Sequence, residues 1–289
     1  MKRRLILAVA FLCTVAVASV GCTKIINALE RTTYTTTDSM KVGDLTRSWE
    51  VIAPVNALPK SAPIIVMLSG IAASTDSEVN RDRFLPYVSN DMEELVYPVG
   101  YQESWNAGGC CGKAATKNID DVAFLKALVP RVDPGHQHPI FLVGYSNGGR
   151  MAYRMACAVP GLYDGIAVAK AMPMPGCVVS KPTTFLQMDA VNDPAVPFKP
   201  GDKGRETPAA TVEVGRLQAA DQCSERSVAS SYPTMTLTTW EDCASATRLQ
   251  FAAYTVGAHG FPFTRGKTPG AAELIYAFFT KTAIAPYPK

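Results

Sequence analysis

The sequence predicts an α/β fold in which helices cover both faces of a mostly parallel central sheet. Continuous apolar runs of strand length alternate with helical segments, and the runs lead into short loops. Of the 289 residues, 47% are hydrophobic and 18% are charged. This length and composition suffice for one large core, and the alternation of strands with helices favours a parallel sheet.

The first residues have the pattern of a secretory signal. Lys2, Arg3 and Arg4 precede a short apolar stretch at residues 5–20. We therefore assign residues 1–21 to a signal peptide and residues 22–289 to a single folded domain. Two processing sites stay open: Ala16-Val17-Ala18 suits cleavage and release, whereas Ser19-Val20-Gly21-Cys22 resembles a lipoprotein signal that would anchor Cys22 to a membrane.

The charge balance argues against a nucleic acid as a partner. With the three basic residues of the signal set aside, basic and acidic residues are equal in number, so the net charge is near zero. Binding a polyanion requires a basic surface. The sequence gives no electrostatic reason to expect one.

Six cysteines remain when Cys13 and Cys22 are set aside, and an even number in an exported chain predicts disulfides. Zinc sites use pairs of thiolates separated by two residues. The adjacent pair Cys110-Cys111 and the scattered other four do not fit that spacing, so no metal site is expected. The six cysteines are Cys110, Cys111, Cys157, Cys177, Cys223 and Cys243.

The predicted elements follow in order along the chain. Alternating patterns within residues 23–62 predict antiparallel strands at one edge of the sheet. Continuous apolar runs predict strands buried on both faces. These strands are predicted at residues 62–68, 139–143, 184–188 and 249–256. The helices are predicted at residues 119–129, 149–158, 209–220 and 271–282.

One motif predicts a nucleophile. Gly144-Tyr145-Ser146-Asn147-Gly148 fits the pattern G-x-S-x-G, with a predicted strand before it and a predicted helix after it. In α/β-hydrolases this context forms a sharp turn that presents the serine hydroxyl at the carboxyl edge of the sheet. Small residues leave room for the turn. The sequence therefore predicts an α/β-hydrolase fold with Ser146 as nucleophile.

A serine hydroxyl needs a neighbouring base, and in this fold the partners follow the serine in the order Asp or Glu, then His. Because His136 and His138 precede Ser146, His259 is the predicted base. We assign His136 and His138 to a solvated loop. Their spacing of two residues would suit a metal only if carboxylates lay nearby.

The loop after the strand at 184–188 offers two candidates for the orienting acid, Asp189 and Asp193. We predict Asp193, with Asp189 ending the strand, because a carboxylate on this loop would fix the tautomer of the imidazole. An oxyanion hole needs backbone N–H groups beside the nucleophile and on an early strand–helix loop. Asn147 and Ile71 are the predicted donors.

Four stretches resemble the secreted polyhydroxybutyrate depolymerases and feruloyl esterase-like enzymes of the first carbohydrate esterase family. They are Trp105-Asn106-Ala107-Gly108-Gly109-Cys110-Cys111-Gly112, Tyr145-Ser146-Asn147-Gly148-Gly149, Asp193-Pro194-Ala195-Val196-Pro197-Phe198 and Ala258-His259-Gly260-Phe261-Pro262. The first is the most specific match. Together the four stretches extend over most of the chain that follows the signal.

The resemblance implies Asp193 rather than Asp189 as the acid and a bridge between Cys223 and Cys243. The other four cysteines would form two more bridges whose connectivity stays open. Trp105, Asn106 and Tyr145 are the implied substrate-binding residues. For Trp105 and Asn106 the alternative is that they only anchor a disulfide-tied loop.

Two positions depart from the family pattern. Ser69-Gly70 stands where the family usually has His-Gly, which puts the support of the oxyanion loop in doubt. Gly260-Phe261-Pro262 follows the histidine where the group often carries Trp-Pro. Both changes border the predicted site, so the substrate preference is expected to differ from that of the family.

The expected function is that of an exported, monomeric serine esterase that needs no cofactor. Its substrates would be feruloyl or acetyl esters on polysaccharide, polyhydroxybutyrate or its oligomers, or smaller esters. The alternatives are a secreted serine peptidase or acyltransferase, and a binding lipoprotein that keeps the hydrolase fold without turnover. The expected location is outside the cell or on the cell envelope.

Overall fold

The structure, a computed structural model, describes residues 32–204 and 208–285. The predicted signal segment 1–21 and the predicted lipidation site Cys22 lie outside these residues. Within the described ranges, no helix is both long enough and apolar enough to cross a bilayer.

Ten strands form one mixed sheet in the described residues. They are β1 Thr33–Val42, β2 Leu45–Pro54, β3 Ile64–Leu68, β4 Glu94–Pro98, β5 Ile140–Tyr145, β6 Gly165–Ala169, β7 Phe185–Ala190, β8 Val228–Tyr232, β9 Met235–Trp240 and β10 Leu249–Tyr254. Their order across the sheet is β1-β2-β4-β3-β5-β6-β7-β10-β9-β8.

The six strands at the centre of the sheet, from β4 to β10 in that order, run parallel, while a hairpin at each edge runs antiparallel. The mostly parallel sheet is therefore confirmed, as are the antiparallel strands expected within residues 23–62. Parallel strands end at a common edge, so the loops after β3, β5, β7 and β10 lie along one side of the sheet.

Seven α-helices connect the strands in the described residues. They are α1 Thr75–Asp82, α2 Leu85–Ser89, α3 Gly112–Thr116, α4 Asp121–Val132, α5 Asn147–Ala158, α6 Ala210–Ala220 and α7 Ala271–Thr280. A short 3₁₀ helix spans Ala244–Ala246. The predicted helices correspond to α4, α5, α6 and α7, with shifts of one to three residues at most of their ends.

The alternation of side chains along β3 shows why this strand is apolar throughout. Ile64, Val66 and Leu68 pack into the core on the side of α4 and α5, whereas Ile65 and Met67 pack into the core on the side of α2 and α7. All five are buried. A strand covered by helices on both faces has no solvent side on which polar residues would be favoured.

Candidate active site

Ser146 lies at the turn between β5 and α5. Its backbone has φ 53° and ψ −116°, a region that residues other than glycine rarely adopt. The glycines around it permit the turn: a Cβ on Gly144 would lie 2.3 Å from the Gly148 carbonyl oxygen, and a Cβ on Gly148 would lie 2.1 Å from that of Leu68. The close approach of α5 to β3 and β5 thus requires glycine at both positions.

The structure brings Ser146, His259 and Asp193 together at the carboxyl edge of the sheet. Ser146 Oγ lies 3.0 Å from His259 Nε2. His259 Nδ1 lies 3.0 Å from each carboxylate oxygen of Asp193. Because Nδ1 faces a carboxylate, it carries the proton, and Nε2 is left to accept a hydrogen bond from the serine hydroxyl.

Asp193 is held as an anion by its surroundings. Its side chain is buried, and Oδ1 accepts hydrogen bonds from the backbone N–H groups of Ala195 at 2.8 Å and Val196 at 3.1 Å. Burial alone would raise the pKa of Asp193, but the His259 hydrogen bond and these two amides lower it, with a net shift below the ordinary value. The carboxylate is therefore ionised at neutral pH.

Asp189, the other candidate acid, is buried on β7 rather than on the loop. Its Oδ2 accepts a hydrogen bond from Gln187 Nε2 at 2.7 Å, whereas the hydrogen bonds of the His259 ring go to Asp193 and Ser146. Beside both acids lies Lys170, a buried residue just after β6. Burial lowers the pKa of Lys170 to about 8, although Asp189 and Asp193 act to raise it.

The two predicted oxyanion donors occupy different environments. Ile71 follows β3 and is 49% exposed at the wall of the cleft that contains Ser146. Asn147 begins α5, and its buried side chain turns away from the cleft to the backbone of Trp105. Only the backbone N–H of Asn147 is thus left to face a substrate oxygen. The role of both amides stays a prediction.

Trp105 and Asn106 are buried and are not among the residues that line the cleft beside Ser146, so their contact with substrate stays a prediction. Trp105 is fully buried, and its indole N–H donates to the Ser69 carbonyl at 3.1 Å. Asn106 is 4% exposed and donates through Nδ2 to the Ile119 carbonyl at 2.9 Å. Both residues anchor their loop, which was the alternative interpretation. Ser69 contributes to this contact through its backbone carbonyl rather than its side chain.

Tyr145, the third predicted binding residue, does line the cleft. Its hydroxyl donates a hydrogen bond to the His259 carbonyl oxygen, and its ring lies 5.7 Å edge-on from that of Phe261. The cleft is open and has a volume of about 540 Å³. Arg81 and Arg83 lie on its wall with the exposed side chain of Phe263.

All six expected cysteines form disulfides. Cys110 is joined to Cys111, Cys157 to Cys177 and Cys223 to Cys243. The bridge between Cys223 and Cys243 is the one that the family resemblance implied. For the other four cysteines, whose connectivity the sequence left open, the structure has the first two pairs. The bridge from Cys157 ties the last turn of α5, the helix that begins after Ser146, to the loop after β6.

The two early histidines have carboxylate neighbours of their own. His136 Nε2 lies 3.2 Å from Asp164 Oδ2, and His138 Nδ1 lies 3.5 Å from Asp133 Oδ1. In the part of the chain that the structure describes, no three His, Cys, Asp or Glu side chains are grouped in a way that would hold a metal ion.

No family model matches the chain. Curated proteins of similar sequence include the following two. A protein of Nocardia uniformis subsp. tsuyamanensis named "Putative esterase NocK" is 30% identical over 192 residues, covering 63% of this chain and 54% of its own length. A protein of Aspergillus terreus named "Probable feruloyl esterase C" is 28% identical over 191 residues, covering 64% of each. The chain thus spans less than two thirds of the length of each of these two relatives.

Solved structures agree on the architecture. The acetyl xylan esterase from Aspergillus awamori superposes with a TM-score of 0.56 at 12% identity, over 84% of this chain and 98% of its own. The feruloyl esterase module from Clostridium thermocellum, an S954A mutant complexed with sinapinate, superposes with a TM-score of 0.56 at 9% identity. This match covers 87% of this chain and 88% of the module. The chain has the α/β-hydrolase fold. The predicted fold class is confirmed, and the resemblance to feruloyl esterases agrees with the names of the sequence relatives.

Three charged residues at or beside the cleft were not predicted from the sequence. Arg81 and Arg83 lie on α1 and just after it, in a short polar segment without apolar periodicity. Lys170 does stand out in the sequence, because it is the one charged residue between Asp164 and Lys181. A lone charge directly after an apolar strand, where the strands of such sheets meet their ligands, is a candidate for the site.

Proposed function

We propose that the chain is an exported carboxylic ester hydrolase in which Ser146 is the nucleophile, His259 the general base and Asp193 the orienting acid. The observation that carries this proposal is a chain of hydrogen bonds. Ser146 Oγ lies 3.0 Å from His259 Nε2, and His259 Nδ1 lies 3.0 Å from the Asp193 carboxylate oxygens. Such an arrangement activates a hydroxyl that is otherwise a weak nucleophile.

In the first step, Ser146 Oγ attacks the carbonyl carbon of the ester while its proton passes to His259 Nε2. The carbonyl oxygen becomes an oxyanion and accepts hydrogen bonds from the backbone N–H groups of Asn147 and Ile71. The imidazolium is stabilised by the ionised Asp193. Collapse of the tetrahedral intermediate breaks the bond to the alcohol, which leaves with the proton from Nε2, and an acyl-Ser146 ester remains.

In the second step, His259 Nε2 takes a proton from water, and the resulting hydroxide attacks the acyl carbonyl. The second tetrahedral intermediate collapses to release the carboxylic acid and returns the proton to Ser146 Oγ. No cofactor enters either step. Every proton is moved by His259, whose ring is oriented by Asp193 at Nδ1 and whose backbone carbonyl accepts a hydrogen bond from the Tyr145 hydroxyl.

An ester rather than another acyl compound is supported by the names of the similar proteins. The substrates in question are feruloyl or acetyl esters of polysaccharide and polyhydroxybutyrate or its oligomers. The three disulfides support export. Mass analysis of the mature amino terminus distinguishes release after Ala18 from lipid attachment at Cys22.

The test is turnover by the purified mature domain on p-nitrophenyl acyl esters, methyl ferulate, hydroxybutyrate oligomers and peptide p-nitroanilides. We expect Ser146→Ala to lose at least about a thousandfold in kcat. Ser230→Ala is the matched control, because Ser230 is exposed on the edge strand β8, and it should keep full turnover. Faster cleavage of peptide amides would indicate a peptidase, and no turnover of any substrate would favour the binding-protein alternative.

A further inference from the structure

We propose that the cleft beside Ser146 selects esters that carry a carboxylate, and that Arg81 and Arg83 bind this anion. The inference rests on the proposed esterase function and names its substrate class. It comes from the charge of the cleft wall rather than from the triad.

The wall of the cleft is cationic. Among the described residues that line it are two arginines and no aspartate or glutamate. This is a local property, because basic and acidic residues are nearly balanced over the whole sequence. Clefts with charge of one sign concentrate ligands of the opposite sign.

Arg83 is available for a ligand. It is exposed and follows α1 with a left-handed backbone at φ 66°. It forms no salt bridge with any residue in the described ranges. A guanidinium has five N–H donors arranged to bind a carboxylate through two parallel hydrogen bonds.

Arg81 keeps part of its binding capacity. Its Nη1 lies 3.2 Å from the buried Glu78 carboxylate, and 38% of its side chain is exposed. Burial raises the pKa of Glu78 to about 7, against the lowering effect of Arg81. Near neutral pH the carboxyl is therefore only partly ionised, and it leaves part of the arginine charge uncompensated.

Arg81 lies close enough to the triad to act on the same substrate, and Arg83 lines the same cleft. The Arg81 guanidinium lies 5.5 Å from the centre of the Tyr145 ring, and the same ring lies 5.9 Å from that of His259. A substrate whose ester carbonyl reaches Ser146 thus passes Tyr145 before its other end meets Arg81. The spacer lies against aromatic residues, since Phe261 and Phe263 also line the cleft.

The experiment uses two matched ester pairs. Mono-p-nitrophenyl glutarate and p-nitrophenyl valerate differ by a carboxylate on the acyl side. Para-acetoxybenzoate and its methyl ester differ by a carboxylate on the alcohol side. For each pair, the ratio of kcat/KM for the anionic to the neutral ester is divided by the ratio of the uncatalysed hydrolysis rates.

For at least one ester pair, we expect this ratio to fall by about tenfold in Arg83→Gln. It should fall further in the double variant that also carries Arg81→Gln. The pair that responds identifies whether the carboxylate lies on the acyl or the alcohol side of the ester. High salt should lower the ratio of the parent enzyme. Arg131→Gln, at the exposed end of α4, is the matched control and should leave the ratio unchanged. Arg83→Gln remains decisive if loss of Arg81 disturbs the buried Glu78.

An unchanged ratio in every variant overturns the inference but leaves the esterase proposal intact, provided that turnover depends on Ser146. An equal loss on the anionic and neutral esters also overturns it, because the arginines would then act on the reaction of all esters. Turnover of methyl ferulate or hydroxybutyrate oligomers without turnover of these four esters would also overturn the inference, and only absence of turnover on every ester tested would overturn the function itself.

Discussion

The Asn147 side chain forms two hydrogen bonds with the backbone of Trp105. The Trp105 N–H donates to Asn147 Oδ1 at 2.8 Å, and Asn147 Nδ2 donates to the Trp105 carbonyl at 3.0 Å. The residue next to Ser146 thus holds a loop that is 42 positions away in the sequence. Because the Trp105 indole in turn binds the Ser69 carbonyl, this contact also supports the loop that carries Ile71.

We expect Asn147→Ala to destabilise the fold by about 1–3 kcal/mol, because it leaves the buried backbone N–H of Trp105 without its acceptor, whereas the Trp105 carbonyl keeps its hydrogen bonds from the Ala107 and Cys111 amides. The kcat for esters should also fall, since the Ile71 loop loses its support, although the Asn147 backbone N–H remains. Urea denaturation and steady-state kinetics measure the two effects. Asn56→Ala, at an exposed position, is the control. Unchanged stability of Asn147→Ala would show that the loop is held by other contacts.

Replacement of the orienting acid should stop turnover without unfolding the protein. In Asp193→Asn, the amide no longer stabilises the imidazolium, and we expect kcat to fall by about 10³–10⁴. Asp189→Asn should have a much smaller effect on kcat, because the His259 ring does not bind Asp189. Kinetics of the two variants on one p-nitrophenyl ester test this expectation. Equal losses would mean that Asp189 shares the orienting role.

A buried acid on α1 should make stability depend on pH. Burial raises the pKa of Asp82 to about 8, even though the Tyr97 hydroxyl and the Phe84 amide bind the carboxylate. In the unfolded chain the same group ionises near pH 4. The folded state therefore binds the additional proton between these values, and the free energy of unfolding falls as the pH rises from about 4 to about 8.

Asp82→Asn keeps the shape and both hydrogen-bonding partners but removes this titration. We expect the decrease in unfolding free energy between about pH 5 and about pH 8 to shrink by a few kcal/mol. Urea titrations at several pH values measure the slope, and Asp44→Asn, in the exposed turn between β1 and β2, is the control. A slope identical to that of the parent would contradict the assignment.

The bridge between Cys223 and Cys243 should stabilise the fold through the loop that it closes. The two residues are 20 positions apart and enclose the hairpin of β8 and β9. A loop of this length predicts a loss of about 3 kcal/mol for the double Cys→Ser variant. Guanidinium denaturation under oxidising conditions is the measurement. A loss well below 1 kcal/mol would mean that the hairpin is ordered without the bridge.

The sequence was sufficient for the features that depend on local patterns. The apolar run at 62–68 predicted β3 because a strand buried on both faces needs apolar residues at every position. The glycines around Ser146 predicted the turn because the close approach of α5 leaves no room for a Cβ. The order of Ser146, Asp193 and His259 followed from the way in which parallel strands bring successive loops to one edge of the sheet.

What the sequence did not reveal depends on contacts between distant segments. The role of Trp105 turns on its burial against Asn147, and no pattern around residue 105 distinguishes a wall of the pocket from an anchor. Arg81 reaches the cleft because the ring of Tyr145, 64 positions later in the sequence, lies beside it. The strands β4 and β6 have five residues each, as β3 does, but β4 begins at Glu94 and ends at Pro98, and β6 alternates small residues with Ile166 and Val168, so neither is a run of large apolar residues.

The position of the triad in the topology also bears on how the protein folds. Ser146, Asp193 and His259 follow β5, β7 and β10, and 113 positions separate the serine from the histidine. Contacts between such distant segments require the closure of long loops, which makes them slow to form. A partly folded chain that has paired only its first strands would therefore have the nucleophile but no base. Return of catalytic activity after dilution from denaturant consequently reports completion of the whole sheet, and it should lag behind the return of secondary structure.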